Sequence, residues 1–500
     1  MGASQSEVVI IGGGLAGLAC AVTLADREIP VSLYESRPRL GGRASSFADK
    51  QSEQLIDNCQ HVSMGCCFEF NRFCETVGIA DSFQRAAELY FVGPDSVGPD
   101  SIGPDSIDSD SIDSDSKGRQ FKVNRFAANP LLPSPLHLLP AFGGLSYLSW
   151  SDKIQLARGL KQLAIAIIDL ENEPTIADWL VAHGQSSAVI NRFWNVVLVS
   201  ALSESLDRIS LSHARKVFVD GFLRARDNWQ VLIPTVPLEH LYGTVIQDYL
   251  KQRGSKISLQ TGVENIRIDG QQVTGIQLRD GSEIDCPRVV LAVPYQRVFD
   301  LLPDEFPGRE SLTGIQQLES APITSVHLWF DREITSLPHA VFVDTLSQWM
   351  FNRSRLMQNA STESGYYYQV VISASHNLTG SARQGRTQSE IISEVVRELA
   401  MIWPEANAAE LLHSRMVTEH QAVFSVKPGV EQLRPSQHTQ VEGLYLAGDW
   451  TSTGWPATME GAVRSGIQAA EFLLADLDRP ETILLPPAQS SFLSKILFRL

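Results

Sequence analysis

The stretch "VVIIGGGLAGLACAVTLADREIPVSLYES", residues 8–36, constrains the fold more than any other part of the chain. Val8–Ile11 is a continuous apolar run with the length of a buried strand. Leu15–Ala25 is rich in Ala and Leu and suits a helix. Val31–Tyr34 reads as a second strand. A strand, a helix and a parallel strand in succession form a β-α-β unit. Gly12-Gly13-Gly14-Leu15-Ala16-Gly17 bridges the first strand and the helix as a G-x-G-x-x-G. Glu35 ends the second strand, 18 positions after Gly17. That context predicts a dinucleotide site. Gly12 makes the turn, Gly14 lets backbone approach a pyrophosphate, and Gly17 lets helix pack on strand. The helix N-terminus, at Leu15 and Ala16, offers N–H groups and partial positive charge to phosphate. Glu35 is placed to accept hydrogen bonds from a ribose.

A chain of 500 residues exceeds one compact core, so two or more domains are expected. The net charge of −16 argues against nucleic-acid binding. Residues 93–116 hold seven Asp and no Lys or Arg, leaving −9 on the rest. They repeat with a period of five, "GPDSVGPDSIGPDSIDSDSIDSDS". Such a stretch buries too little apolar surface to offset its ordering entropy and is expected to be a disordered insert. Its flanks, "ELYFV" and "RQFKV", read as strands, so the insert enlarges a hairpin tip. Six cysteines without a CxxC pair predict free thiols and no metal site. Val8–Ala25 is an uncharged run of 18 residues, but it holds four glycines and lacks a basic flank and a cleavage site. Neither export nor a membrane span is expected from it. The expected location is cytoplasmic, with peripheral contact at the inner face of the membrane. That contact rests on the tail, "SSFLSKILFRL". Its Phe492, Leu493, Ile496, Leu497 and Leu500 share a helical face, with Lys495 and Arg499 off it.

Blocks of helix and strand alternate further on. Residues 152–225 and 387–402 read as helical, 255–295, 322–330 and 366–375 as strands, and 457–476 as helix. Four prolines in the uncharged stretch 127–150 exclude one long helix there.

"RPRLGGRASSF" (37–47) brings a second glycine pair, including Gly42, and Arg43 directly after Glu35. This resembles the extended signature of FAD-binding amine oxidases and carotenoid desaturases. Near the other end, "AGDWTSTGWPATMEGAVRSG" (447–466) resembles that superfamily's second signature. Gly448-Asp449 matches the pair that meets the ribityl chain and pyrophosphate. Met459-Glu460-Gly461-Ala462 matches the helix start facing the flavin pyrimidine ring, where a helix N-terminus stabilises the anionic reduced flavin. Val263, in "TGVENIRIDG", matches an adenine contact, and "VVLAVP" matches the strand beneath the FAD, ending at Ala292. The cofactor implied is FAD. The fold implied is α/β, a discontinuous Rossmann-type FAD domain interleaved with an α+β substrate domain, amine oxidase-like. The boundaries read as 1–92, 228–298 and 415–478 for FAD, 118–227 and 299–414 for substrate, 93–117 for the insert and 479–500 for the tail.

"IDNCQHVSMGC", "LPSPLHLLPAF", "NRFWNVVLVSAL", "VKPGVEQLRPS" and "LYLAGDWTSTGWPATMEGAVRSG" together resemble the squalene-associated FAD-dependent desaturases, or hydroxysqualene dehydroxylases. The resemblance runs from Glu7 to about Asp476. It implies reductive removal of the hydroxyl of hydroxysqualene to give squalene, for hopanoid or related triterpene synthesis. Cys59 stands where that family has glycine, and costs roughly 1–2 kcal/mol if the position has positive φ. An acid must protonate the leaving hydroxyl. His61 is the first candidate, then Asp57 and His137. Trp450, Trp455 and residues 127–150 suit a polyisoprenoid tunnel. No second G-x-G-x-x-G provides a nicotinamide domain, so the electron donor is external and unassigned. Two alternatives stand beside this reading. One is a carotenoid-type desaturase, with hydride flowing from substrate to flavin. The other is a non-catalytic flavoprotein that carries prenyl lipids between synthases of the squalene pathway.

Overall fold

The computed structural model describes residues 7–95, 120–358, 362–378, 386–486 and 489–498. Val8–Ile11 (β1) and Val31–Tyr34 (β2) flank the helix Leu15–Ala25 (α1). All of α1 is buried, as its lack of any charged residue requires. Lys256–Ser258 (β3), Val289–Leu291 (β4) and Leu444–Leu446 (β5) complete a parallel sheet in the order β3-β2-β1-β4-β5. Val9 pairs with Ser32 on one side and Val289 on the other, and Val289 with Leu444. Both faces of such a sheet are covered, so its strands are apolar throughout rather than alternating. Strands from three distant stretches of the chain thus end along one edge, where open α/β sheets bind ligands.

Phe68–Thr76 (α2), Trp150–Ile165 (α3), Met459–Asp476 (α4) and Phe492–Phe498 (α5) are the helices that matter below. α3 starts with a capping box between Ser149 and Asp152, and Thr458 caps α4 by accepting from the Gly461 N–H. Between residues 130 and 145 the prolines leave only Leu136–Leu138 and Leu139–Gly144 helical. No helix among the described residues is long and apolar enough to cross a membrane.

A second sheet has seven strands in the order Leu411–Phe424, Ser320–Phe330, Tyr366–Ile372, Trp349–Asn352, His339–Phe342, Glu88–Pro94 and Phe121–Ala127. Only the contact between His339–Phe342 and Glu88–Pro94 is parallel. Glu88–Pro94 and Phe121–Ala127 form the expected hairpin, closed by Pro94 opposite Phe121 and by the Asp95 N–H on the Gln120 carbonyl at 2.7 Å. The pentapeptide repeat assigned to the insert falls almost wholly outside the described residues. The second sheet takes Glu88–Pro94 and all of Leu411–Phe424. The chain therefore crosses between sheets before Glu88 and after Phe424. Composition changes too little along a continuous β run to mark such a crossing. One apolar cluster joins Val9, Ile11 and Leu291 of the first sheet to Phe126, Phe193 and Trp229, so the two parts share a core.

Candidate functional site

The G-x-G-x-x-G loop leaves β1 with Gly12 at φ +112°, and the Gly12 N–H donates to the Tyr34 carbonyl of β2 at 2.8 Å. A Cβ on Gly17 would sit 2.1 Å from the Gly12 carbonyl and 3.2 Å from Ala292 Cβ. Only glycine allows α1 this close to the sheet. Gly14 faces open space, with nothing within 4 Å of where a Cβ would be. α1 has no side-chain cap, so the N–H groups of its first turn remain to be satisfied. That uncapped terminus beside open backbone is an anion cradle. The nine-tenths-buried Glu35 carboxylate accepts the Gly13 N–H at 2.7 Å and the Arg37 N–H at 2.8 Å, holding β2 to the loop. The Thr261 N–H donates to the Glu35 carbonyl at 2.9 Å, which brings the strand of Val263 alongside. The Ala292 N–H donates to the Ile11 carbonyl at 2.8 Å, so Ala292 lies under the loop.

The second glycine pair braces the first. The Gly41 N–H donates to the Gly13 carbonyl at 2.8 Å, and a Cβ on Gly42 would be 3.0 Å from Gly14 Cα. Arg43 follows, but its guanidinium donates to Asp449 at 2.6 Å and to the Ala422 carbonyl at 2.6 Å. The two ends of the chain therefore meet through an ion pair between residues expected to touch one ligand. Gly448 donates its N–H to Ser465 of α4 at 2.8 Å. Arg434, which the sequence did not single out, donates to the carbonyls of Asp449 and Thr451 and to the Thr453 hydroxyl, and so shapes the whole turn. Its only sequence signal was its place in "VKPGVEQLRPS".

Glu460 ties the α4 start to α2. Its buried carboxylate accepts the N–H groups of Glu69 at 3.3 Å and Phe70 at 2.8 Å, capping α2. Burial raises its pKa to about 7 against those bonds. Only backbone of Glu460 remains for a cofactor. Met459 packs its sulfur 3.6 Å from the Tyr242 hydroxyl, and Ala462 closes the first turn of α4 on the Thr458 carbonyl.

Asp57 is not a free acid. Its carboxylate accepts from Arg353 at 2.9 Å, Ser46 at 2.7 Å and the Leu238 N–H at 3.0 Å, and both partners of the ion pair are buried. Arg353 also donates to Gln60 at 2.7 Å, so it fixes both sides of Cys59. Cys59 is absent from the positive-φ residues. The strain anticipated for it does not exist, and burial pushes its thiol up to about 12.

His61 is half-buried, with Nδ1 2.9 Å from the Cys59 carbonyl. A carbonyl only accepts, so Nδ1 carries the proton and Nε2 the lone pair. No described residue bonds Nε2. Burial lowers the His61 pKa, with Arg43 acting the same way and the Cys59 carbonyl and Asp57 opposing. At neutral pH His61 is thus a proton acceptor at Nε2. His137 is fully buried, donates Nε2–H to the Arg226 carbonyl at 3.0 Å, and has its pKa lowered by burial. Trp450 lies in the core and donates to the Val293 carbonyl at 2.9 Å, while Trp455 stacks under Lys216 at 4.3 Å. Neither tryptophan needs a ligand to explain its place.

An uncapped helix over a glycine turn, a buried carboxylate ending β2 and a second helix start at β5 define a dinucleotide-binding oxidoreductase. Residues 15–474 match the family of flavin-containing amine oxidoreductases. The chain belongs to that family, and its cofactor is FAD. It is 26% identical to a chloroplastic/chromoplastic 15-cis-phytoene desaturase of an Oncidium hybrid cultivar, over 95% of this chain and 78% of that one. It is 25% identical to a probable zeta-carotene desaturase of Synechococcus elongatus, over 94% of this chain and 98% of that one. Among solved structures, an oxidoreductase of Methanosarcina mazei superposes with a TM-score of 0.66 at 15% identity, over 92% and 99% of the two chains. Cyclohexylamine oxidase of Brevibacterium oxydans superposes at 0.64 with 18% identity, over 95% and 100%. These confirm the expected fold.

Proposed function

We propose that the chain is a carotenoid-type desaturase that removes two hydrogens from a long polyene hydrocarbon such as phytoene or zeta-carotene. The observation that carries this is His61. Bound FAD supplies a hydride acceptor. As the hydride leaves one substrate carbon, His61 Nε2 takes the proton from the neighbouring carbon, and the electron pair left behind becomes the new double bond. Burial keeps the imidazole neutral and the Nδ1 bond to Cys59 aims it, as a base requires. Arg353 and Asp57 position that loop without touching substrate. The cradle of Gly12, Gly14, Leu15, Ala16, Gly17, Gly42 and Glu35 is assigned to the dinucleotide, with Val263 at the adenine side. Arg43, Asp449 and the α4 start are assigned to the flavin side. The relatives named phytoene and zeta-carotene desaturase match nearly the whole chain, which supports the same direction.

The dehydroxylase reading keeps one observation in its favour, the likeness of "LYLAGDWTSTGWPATMEGAVRSG" to hydroxysqualene dehydroxylases. It needs a protonated acid at the substrate. Asp57 is committed to Arg353, and His61 and His137 are held neutral. Product analysis decides. Oxidised holoprotein given phytoene and a quinone as electron acceptor is expected to yield a more unsaturated product. Unchanged phytoene and zeta-carotene under these conditions, with hydroxysqualene converted to squalene by reduced protein, would reverse the assignment. A carrier would change none of these substrates.

A further inference from the structure

We propose that α3 and the terminal helix α5 form a bilayer-docking face for anionic lipid. α5 is amphipathic in the inverted sense. Its polar residues face the protein: Ser494 is fully buried and donates to the Leu223 carbonyl at 2.6 Å, and Ser491, just before the helix, donates to the Ser134 carbonyl at 2.8 Å. Its apolar residues face out, with Phe492 76% and Ile496 60% exposed. Phe498 anchors inward, on Ala164, Val219 and Leu223. A terminal helix packed for stability would bury the phenylalanine and expose the serine.

Ala164 belongs to α3, so the two helices are neighbours. Trp150, Ile154, Arg158, Lys161 and Ile165 recur at helical spacing on α3 and are all exposed, Trp150 by 74%. Of seventeen exposed large apolar side chains among the described residues, ten lie in 131–170 and 492–497. Concentration on this scale marks an interaction site.

Charge selects the occupant. Residues 127–168 contain one acidic side chain, Asp152, which is buried in the α3 capping box. Arg158, Lys161 and Lys495 are exposed and form no ion pair with a described residue. Asp169 and Glu171 mark the rim. A chain of net charge −16 meets an anionic bilayer most favourably through a patch without exposed acidic side chains. A tryptophan, aliphatic side chains and basic residues on one face suit the interface between headgroup and acyl chain.

The test is flotation of the holoprotein with vesicles of phosphatidylcholine alone and of phosphatidylcholine mixed with phosphatidylglycerol. Binding to the mixed vesicles is expected, weakened at least about tenfold by high salt or by Lys161→Glu with Lys495→Glu. Trp150→Ser alone, and Phe492→Ser with Ile496→Ser, are each expected to weaken it about tenfold at unchanged flavin content. Trp150→Ser keeps the test valid if the tail variant loosens α5. Wild-type protein that fails to float, or variants that float as it does, would overturn the proposal. So would a wild-type dimer that Trp150→Ser dissociates without any vesicle binding, since the face would then be a self-interface.

Discussion

Asp57 and Arg353 lie 2.9 Å apart and almost wholly out of solvent, 296 positions apart in sequence. Removing one partner strands the other charge. Asp57→Asn is therefore expected to lower unfolding stability by about 3–5 kcal/mol, read by denaturant titration. A loss of activity without that loss of stability would mean Asp57 touches substrate after all. Glu35→Ala deletes two acceptor contacts, a buried one to Gly13 and a part-buried one to Arg37. It should cost about 1–3 kcal/mol in the apoprotein and weaken FAD binding further, measured by flavin retention on dialysis. Glu460 gives a pH signature. Its folded pKa of about 7 lies above the ordinary value of 4.5, so the native state holds the proton more tightly than the unfolded chain. This group's contribution is intact below about pH 4.5 and becomes unfavourable by about 3 kcal/mol as pH rises through 7. Melting curves of wild type and Glu460→Gln between pH 5 and 8 should diverge in that sense, with the variant flatter. Parallel curves would mean the carboxyl is not desolvated.

Local elements were legible where one periodicity fills one element. β1-α1-β2 is such a case, because burial on both sheet faces leaves a continuous apolar run and the glycines fall where backbone must approach backbone. α4 was legible too, from Thr458 to Asp476. The insert flanks were recognisable because β-rich runs bracketed a repeat dominated by Gly, Pro, Asp and Ser. Their pairing places Asp95 and Gln120 in hydrogen-bond contact. Replacing residues 96–119 by a two-residue turn should therefore preserve flavin content and leave unfolding stability within about 0.5 kcal/mol. Loss of flavin would assign the repeat a structural role. What sequence could not show is orientation and distant partnership. The pattern of α5 defines an apolar face, not which face meets the protein. Glu460 carries the residue type of a flavin motif, yet its side chain serves α2. Nothing near residue 353 announces an arginine destined for Asp57.

At the scale of the molecule, the chain brings both its ends to one edge of the parallel sheet, tied at Arg43–Asp449 across 406 positions. That parallel sheet shares an apolar core with the seven-stranded sheet. Strands Ser320–Phe330 and Tyr366–Ile372 pair within that sheet, and Arg353 reaches from just beyond it to the His61 loop. The FAD family and the fold follow from this architecture. The direction proposed for the reaction rests on a single proton, the one His61 keeps on Nδ1. That claim is tested most directly by an anaerobic single turnover. Oxidised holoprotein is mixed with phytoene, flavin absorbance is followed, and the quenched product is analysed. The account predicts bleaching of the flavin as a double bond forms, slowed by His61→Ala with FAD still bound. Flavin that stays oxidised with phytoene, while photoreduced protein is reoxidised by hydroxysqualene to give squalene, would contradict it.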